Sequence, residues 1–568
     1  MYFSYLAAME HRWVVFTAQV VVMASMGWKE ARGSHHGSWD DGGGPPLPGV
    51  TDLPPLPPAS RDAALPPASR DASLSHPPRY SDPTAGDAAR TSASDTADIT
   101  VRAVASSISR DIVVSTNDAD PVYADLSSKD ADTPATDAGP SVTDDGTPPE
   151  DKGESTVLWW TPFTGVGSGQ SRTCHFGSCF FTEDRGAYLH HPRTEAVLFY
   201  GSDFSVEDLP LPRRSPHQWW GLLHEESPKN QPLFDHQQVL ELFNLTATFR
   251  RESDFPLTLQ HLESMESLTS RSEFVVTSVK TQLMAEEDLA PVVYVQSDCD
   301  TPSERDAYVQ QLSKYIKIDS YGSCLHNRDL PPHLHDPADT FDHVDFRAIV
   351  AKYKFTLAIE NAACDDYITE KLWRPLTLGS VPVYWGSPSV KDWEPNPRSV
   401  IPVTEFESPQ QLAWYLYKLM ENETLYESHL KHKLKQKVDN LNLVRAMAHR
   451  KWGINNDFDK GNFIEHFECF VCDSVLSRRS KAKHTGGEVM ASLNHYGCPE
   501  PPNVLTGKPN PKSFWVEQWH KARVEAKVLS RLVKTNKKFF PDVFYQNVID
   551  ELQKDGFFVH FPPDHLEL

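Results

Sequence analysis

The stretch "ENAACDDYITEKLWRPLTLGSVPVYWGSPSV", Glu360 to Val390, decides the fold. It follows "YKFTLAI", a buried-strand run, then carries a helical segment opening near Thr369 and a second strand run, "VPVYWG". Lys371 and Arg374 stand in the opening turns of that helix, where the macrodipole is already positive and cations are disfavoured. Either an anion belongs there, or the cations form a solvated basic patch at a helix end. The residues alone leave both readings open.

Working outward, strands and helices alternate. "AVLFY" (Ala196–Tyr200), "FVVTSV" (Phe274–Val279) and "PVVYVQS" (Pro291–Ser297) read as buried strands bounded by polar or turn residues. "SERDAYVQQLSKYI" (Ser303–Ile316) reads as an amphipathic helix, followed by "IDSYGSC". This order predicts an α/β fold with a parallel sheet wrapped by helices, in which ligands bind beyond the carboxyl ends of the strands. Glu360 and Asn361 directly follow "FTLAI", so the helix N-terminus points into that crevice, where a phosphate would fit.

The chain has 568 residues and a formal charge of −23, too acidic for a broad nucleic-acid footprint. From Ser34 to Asp151 there are 20 acidic and 7 basic side chains, so about half of the excess sits in one segment. That segment is rich in Pro, Ala, Ser, Thr, Asp and Gly and repeats "LPPASRDA" at Leu56 and Leu65. It cannot bury enough apolar surface to offset chain entropy, and reads as a disordered stalk over residues 34–153. Ahead of it, "WVVFTAQVVVMASMGW" (Trp13–Trp28) suits a signal peptide or a short signal anchor within residues 1–33. Ala24 and Gly27 permit cleavage, and Lys29 and Arg32 blur the orientation rule, so attachment to the membrane stays open.

The eight cysteines, Cys174, Cys179, Cys299, Cys324, Cys364, Cys469, Cys472 and Cys498, all lie beyond the stalk. An even set in a secretory chain points to disulfides, with a redox or zinc role for the lone CxxC at Cys469 and Cys472 as the less supported alternative. Sequons at Asn244 and Asn422 permit N-glycosylation.

"EESP" (Glu225–Pro228), "FNLTATFRRESD" (Phe243–Asp254), "SDCD" (Ser297–Asp300) with Arg305, "YGSC" (Tyr321–Cys324), "YITEKLW" and "VPVYWGSPSV" together carry a resemblance. From about Trp159 to Cys472 the chain resembles the α1,3-fucosyltransferase family, glycosyltransferase family 10. Its long insertions and the tail beyond Cys498 resemble a divergent branch regarded as protein O-fucosyltransferases acting on EMI-type modules. The resemblance implies two facing Rossmann-like domains (GT-B type): an acceptor-side domain over 154–283, a GDP-fucose-binding domain over 284–475, and a C-terminal extension over 476–568. The extension includes "ARVEAKVLSRLVKTNKKFF", which reads as a basic packing helix with a wet face.

The implied activity is inverting transfer of fucose from GDP-fucose, so the missing anion would be the diphosphate. Negative charge grows on that leaving group and calls for fixed cations or amide donors. Lys371 and Arg305 are the candidate cations; Asn361 and Tyr367 would contact the phosphates, and Glu370 would accept from the ribose hydroxyls. A carboxylate is an economical base for the acceptor hydroxyl, and the family motif puts Glu226 there, with Glu225 as the neighbouring alternative. Taken singly, Lys371 also reads as a surface lysine, Tyr367 as a core aromatic and Glu370 as a first-turn carboxylate. "DCD" at Asp298–Asp300 has the look of a metal-binding pair, but the family pattern places Cys299 in a disulfide with Cys324 and implies no catalytic metal and no cofactor beyond the donor substrate. It also ties Cys174 and Cys179 to the Cys469/Cys472 pair, leaving the state of Cys364 and Cys498 open.

The expected acceptor is Ser or Thr of a folded EMI-type module. The alternatives are α1,3-fucosylation of N-acetylglucosamine in N-glycans, or a catalytically silent binding or chaperone protein with the same fold. Trp219 and Trp220 read either as sugar-stacking or, more simply, as core residues. The expected location is the lumen of the endoplasmic reticulum or Golgi, as a single-pass type II membrane protein where the N-terminal segment stays attached; "HLEL" at the C-terminus adds little.

Overall fold

Runs of β-branched and aromatic residues punctuated by turns build two sheets in the computed structural model. It describes residues 153–554 except 163, 168, 214–217, 335–339, 341, 455–460 and 481–489. The apolar N-terminal segment and the stalk up to residue 152 lie outside the described residues.

The first sheet holds β1 (Ser155–Trp159), β2 (Gln170–Thr173), β3 (Ser178–Thr182), β4 (Thr194–Tyr200), β5 (Trp219–His224) and β6 (Leu245–Thr248), in the order β2-β3-β1-β4-β5-β6. All its pairs are parallel except β2 with β3. The second holds β7 (Val292–Tyr294), β8 (Ile318–Ser320), β9 (Phe355–Ile359), β10 (Val381–Trp385) and β11 (Ile401–Pro402), all parallel, in the order β11-β10-β9-β7-β8. With the antiparallel β2 set aside, both sheets have the same doubly wound order, reversing beside their first strand. The crevice at that reversal is where such sheets bind ligands. Central strands are buried on both faces, which is why they read as continuous apolar runs.

Eight helices matter below: α1 (Thr277–Glu286), α2 (Arg305–Leu312), α3 (Val344–Ala351), α4 (Glu370–Leu378), α5 (Pro409–Glu421), α6 (Phe463–Ser480), α7 (Phe514–Lys534) and α8 (Pro541–Lys554). Helix α4 starts where its sequence says: the Thr369 side chain caps it by accepting from Lys371 N. It stops at Gly379, whose φ of 70° suits glycine. Leu372, Trp373, Leu376 and Leu378 are buried on its inner face, each worth about 1.5–3 kcal/mol of apolar burial.

Several expectations are corrected. "FVVTSV" is no strand: Phe274 packs on the second core, the chain turns at Val276, and α1 begins at Thr277. The run finds no strand to pair with, and the helix formers that follow it take over. Lys280 of α1 is buried, its ammonium donating to the carbonyls of Tyr353 and Gly379 at 2.8 Å each. Helix α6, which begins within the span assigned to the donor domain, packs back on β1, β3 and β4. Cys174–Cys469 and Cys179–Cys472 fasten it there, and Glu468 accepts from Trp159 Nε1 at 2.8 Å. The CxxC is therefore two separate cross-links to the first domain.

The sequon at Asn244 is also corrected. Asn244 is 3% exposed and its Oδ1 accepts from Trp220 N at 3.0 Å, so the fold has no room for a glycan there. Asn422 is exposed, capping a helical turn by accepting from Leu425 N. Helix α7 is a packing helix: Val516, Val524, Val528, Leu529 and Val533 are buried, and it lies on the Pro232–Asp235 turn beside the first sheet. Among the described residues, no helix is long and apolar enough to cross a membrane.

Candidate active site

Strand β9 ends at Ile359, so Glu360 and Asn361 enter the crevice of the second sheet. Glu360 is fully buried, its carboxylate accepting from Thr369 N at 2.9 Å and Thr369 Oγ1 at 2.8 Å. That grip ties the end of β9 to the start of α4. Lys371 Nζ lies 2.9 Å from Glu370 Oε1 and 3.7 Å from Glu360 Oε2. Two carboxylates thus flank Lys371. Burial works against its charge, and Glu370 and Glu360 outweigh that, raising its affinity for the proton. For Glu370, burial pushes the carboxyl up, while Lys371, His261 and Arg374 more than offset this and hold it below the usual range.

Arg305, the first residue of α2, is 1% exposed. Its terminal nitrogens donate to Ile359 O at 3.1 Å and Asp298 O at 2.6 Å, bracketing the switch point between β7 and β9. Its Nε and the Oδ1 of Asn361 are buried without hydrogen-bond partners. A guanidinium N–H needing an acceptor and an amide oxygen needing a donor, both at the carboxyl edge of the second sheet, suit a ligand bearing anionic oxygens and hydroxyls. Asp298 is paired with Lys229 and Asp300 accepts from Trp515 Nε1 at 2.8 Å, while Cys299 is bonded to Cys324. The "DCD" carboxylates therefore point at separate partners.

The first sheet contributes the opposite wall. Strand β5 ends at His224, which leaves Glu225 and Glu226 at the carboxyl edge. Glu225 turns inward: Tyr200 donates to its Oε1 at 3.1 Å, and its buried Oε2 has no partner. Burial and then the charge of Glu226 push it up to about 7. Glu226 turns toward α4. Burial raises its carboxyl, the charge of Lys371 draws it down and that of Glu370 raises it again. Tyr367 is buried between the walls, sharing a hydrogen bond with the Ser227 hydroxyl; burial and then the charge of Glu226 push its hydroxyl far up. The sequence-predicted residues Glu226, Tyr367, Glu370, Lys371, Arg305 and Asn361 thus converge on one crevice between two carboxyl edges. Trp219 and Trp220 do not join them. Trp220 packs in the core against Phe199 at 5.1 Å, and Trp219 lies under Arg478 at 4.8 Å.

Sequence reasoning passed over Arg251, Asp366, Glu360 and Tyr496. Arg251 and Asp366 sit inside quoted motifs, one on each wall, and Glu360 directly follows a strand; these were available signals. Tyr496 carried none.

The fucosyltransferase N-terminal family model matches residues 152–260, and the C-terminal model of glycosyltransferase family 10 (fucosyltransferase) matches 286–485. GDP-fucose protein O-fucosyltransferase 3 of Bos taurus is 47% identical over 403 residues, covering 70% of this chain and 83% of that protein. The Homo sapiens protein of the same name is 46% identical over 398 residues, 68% of this chain and 81% of its own. A crystal structure of an α1,3-fucosyltransferase with GDP-fucose is similar at 16% identity and a TM-score of 0.32, covering 54% of this chain and 82% of that one.

Proposed function

Given that the chain belongs to the glycosyltransferase family 10 fucosyltransferases, in their protein O-fucosyltransferase branch, and is a GDP-fucose-dependent fucosyltransferase, we propose that it transfers fucose with inversion to Ser or Thr of folded EMI-type modules. What supports the mechanism is that Glu226, at the carboxyl edge of β5, lies close enough to α4 to feel the charges of Lys371 and Glu370. The acceptor oxygen attacks the anomeric carbon as the bond from that carbon to the diphosphate breaks. Glu226 takes the hydroxyl proton, a role worth about 10²- to 10⁴-fold in rate. Lys371, the partnerless Nε of Arg305 and the N-terminal dipole of α4 stabilise the charge growing on GDP. Asn361 and Tyr367 contact the phosphates, and Glu370 accepts from the ribose hydroxyls.

The protein-acceptor reading is supported by relatives named as protein O-fucosyltransferases. The setting we propose is the lumen of the endoplasmic reticulum or Golgi, which suits four disulfides, with the membrane reached through the N-terminal segment where that is not cleaved. The test offers the purified enzyme GDP-fucose with a folded EMI module, the same module reduced, and an N-glycan ending in N-acetylglucosamine. Fucose on the folded module alone is the expected outcome. Fucose only on the glycan would overturn the acceptor, and none on any would favour a silent binding protein.

A further inference from the structure

The segment from Ala491 to Trp515 lies beyond residue 485, where the family match ends, yet it threads the crevice from one wall to the other. On the acceptor side, Ala491 N donates to Phe243 O at 2.9 Å, and Thr248 at the end of β6 donates to His495 O. In the middle, Cys498 is bonded to Cys364, three residues from both Asn361 and Tyr367. On the donor side, Val504 N donates to Ser303 O at 3.0 Å, and the Asn510 amide donates to Glu304, the residue just before the helix of Arg305, at 2.9 Å.

Tyr496 is the innermost residue of this strap, 0% exposed. Its hydroxyl donates to the main-chain oxygen of Glu226 at 2.9 Å. Its ring stacks on His224 at 5.3 Å and 27° and meets Phe249 at 4.9 Å, while Phe249 meets Tyr367 at 5.1 Å. One side chain therefore touches the backbone of the candidate base, the residue two before it, and the ring that packs on the donor wall. The strap cannot drift, because the disulfide and the bonds to Ser303 and Glu304 anchor it just beyond Tyr496.

We propose that Tyr496 is a positioning residue for the transfer reaction: its hydroxyl fixes the main chain at Glu226 and so aims that carboxylate at the acceptor oxygen. The proposal rests on the reading of Glu226 as the base. Tyr496 touches no substrate; it acts by denying the loop after β5 the small rotations that would swing Glu226 off line, and such misplacement is costly in a site built for one geometry. Glu225 on the same loop faces Tyr200 instead, so the bond at Glu226 O keeps two adjacent carboxylates pointing opposite ways.

The test uses the full chain with Tyr496→Phe, which keeps the ring and removes only the donor, alone and combined with Glu226→Gln. Tyr496→Phe should lower kcat by about tenfold, leave KM for GDP-fucose within about twofold and lower the melting temperature by only a few degrees; in the Glu226→Gln background it should cost no further turnover, because both changes act through one carboxylate. A Tyr496→Phe enzyme at the wild-type kcat, or losses that multiply in the double variant, overturns the proposal while the base assignment stands. A Glu226→Gln enzyme with full activity overturns both.

Discussion

Arg251, in the loop beyond β6, grips Asp366, the residue before Tyr367, with Nη2 to Oδ1 at 2.5 Å and Nε to Oδ2 at 2.9 Å. Trp393 Nε1 and Ser389 Oγ donate to the same carboxylate at 2.9 and 2.8 Å. The two walls of the crevice are thus held together at a residue adjoining the donor site. Asp366 is 1% exposed, so Arg251→Met leaves a buried charge unpaired and should cost roughly 3 kcal/mol in denaturant unfolding, a large part of it recovered by Asp366→Asn in the same chain. Burial alone would raise the Asp366 carboxyl; the bonds from Arg251 and Trp393 outweigh it and hold it below the usual carboxylate range. A depressed carboxyl stabilises the fold above its unfolded value and loses that contribution as pH falls through the folded one. The penalty of Arg251→Met should therefore be largest near neutrality and shrink as pH falls and the buried carboxyl, no longer held down by the guanidinium, takes up a proton; a penalty that grows as pH falls would contradict the pairing.

Lys371→Met should raise the Kd for GDP by about 10- to 100-fold, the range expected on losing a charge-assisted contact. Arg305→Lys should weaken binding less, because an ammonium replaces one of the two carbonyl anchors. Isothermal titration checks both, and a chelator in the cell should leave wild-type binding unchanged. Chelator-sensitive binding would return the "DCD" aspartates to the site.

Glu226→Gln keeps size and most hydrogen bonding, so GDP-fucose binding should survive while turnover falls by about 10²-fold or more. Glu226 works deprotonated and burial raises its carboxyl, so activity should fall away as pH drops through a midpoint above the usual carboxylate range. Glu225→Gln should retain most activity. An inactive Glu225→Gln beside an active Glu226→Gln would exchange their roles.

The Cys364–Cys498 bond closes a loop of 134 residues, for which the chain-entropy account gives about 4–5 kcal/mol. Cys364→Ser with Cys498→Ser should lower the melting temperature and, by freeing the strap, reduce kcat. Peptide mapping of the wild-type chain should find this pair, and a Cys469–Cys472 peptide would contradict the cross-links to Cys174, just after β2, and Cys179 of β3.

Glycan mapping of secreted chain should find Asn422 occupied and Asn244 bare. Asn244→Gln should destabilise the fold by about 1 kcal/mol or more, because the longer side chain displaces the acceptor of Trp220 N. A glycan on Asn244 in folded, active enzyme would refute its burial.

The sequence by itself determined the α/β class, the start of α4 at a Thr369 cap and the gathering of Asn361, Tyr367, Glu370 and Lys371 after one strand. Those features rest on hydrophobic period, capping chemistry and spacing within a few tens of residues. Tertiary structure decided the rest. Whether Lys371 is free or paired depends on Glu360 being folded under it, and which of Glu225 and Glu226 faces the donor depends on Tyr200 taking one of them. "FVVTSV" became a helix entry because no strand lay beside it, and Asn244 is buried with its Nδ2, the atom that would carry a glycan, held against Met490. The contact of Tyr496 with Glu226 spans 270 residues. No local pattern encodes such a pair, because its geometry exists only once two sheets, a disulfide and the returning strap are all in place.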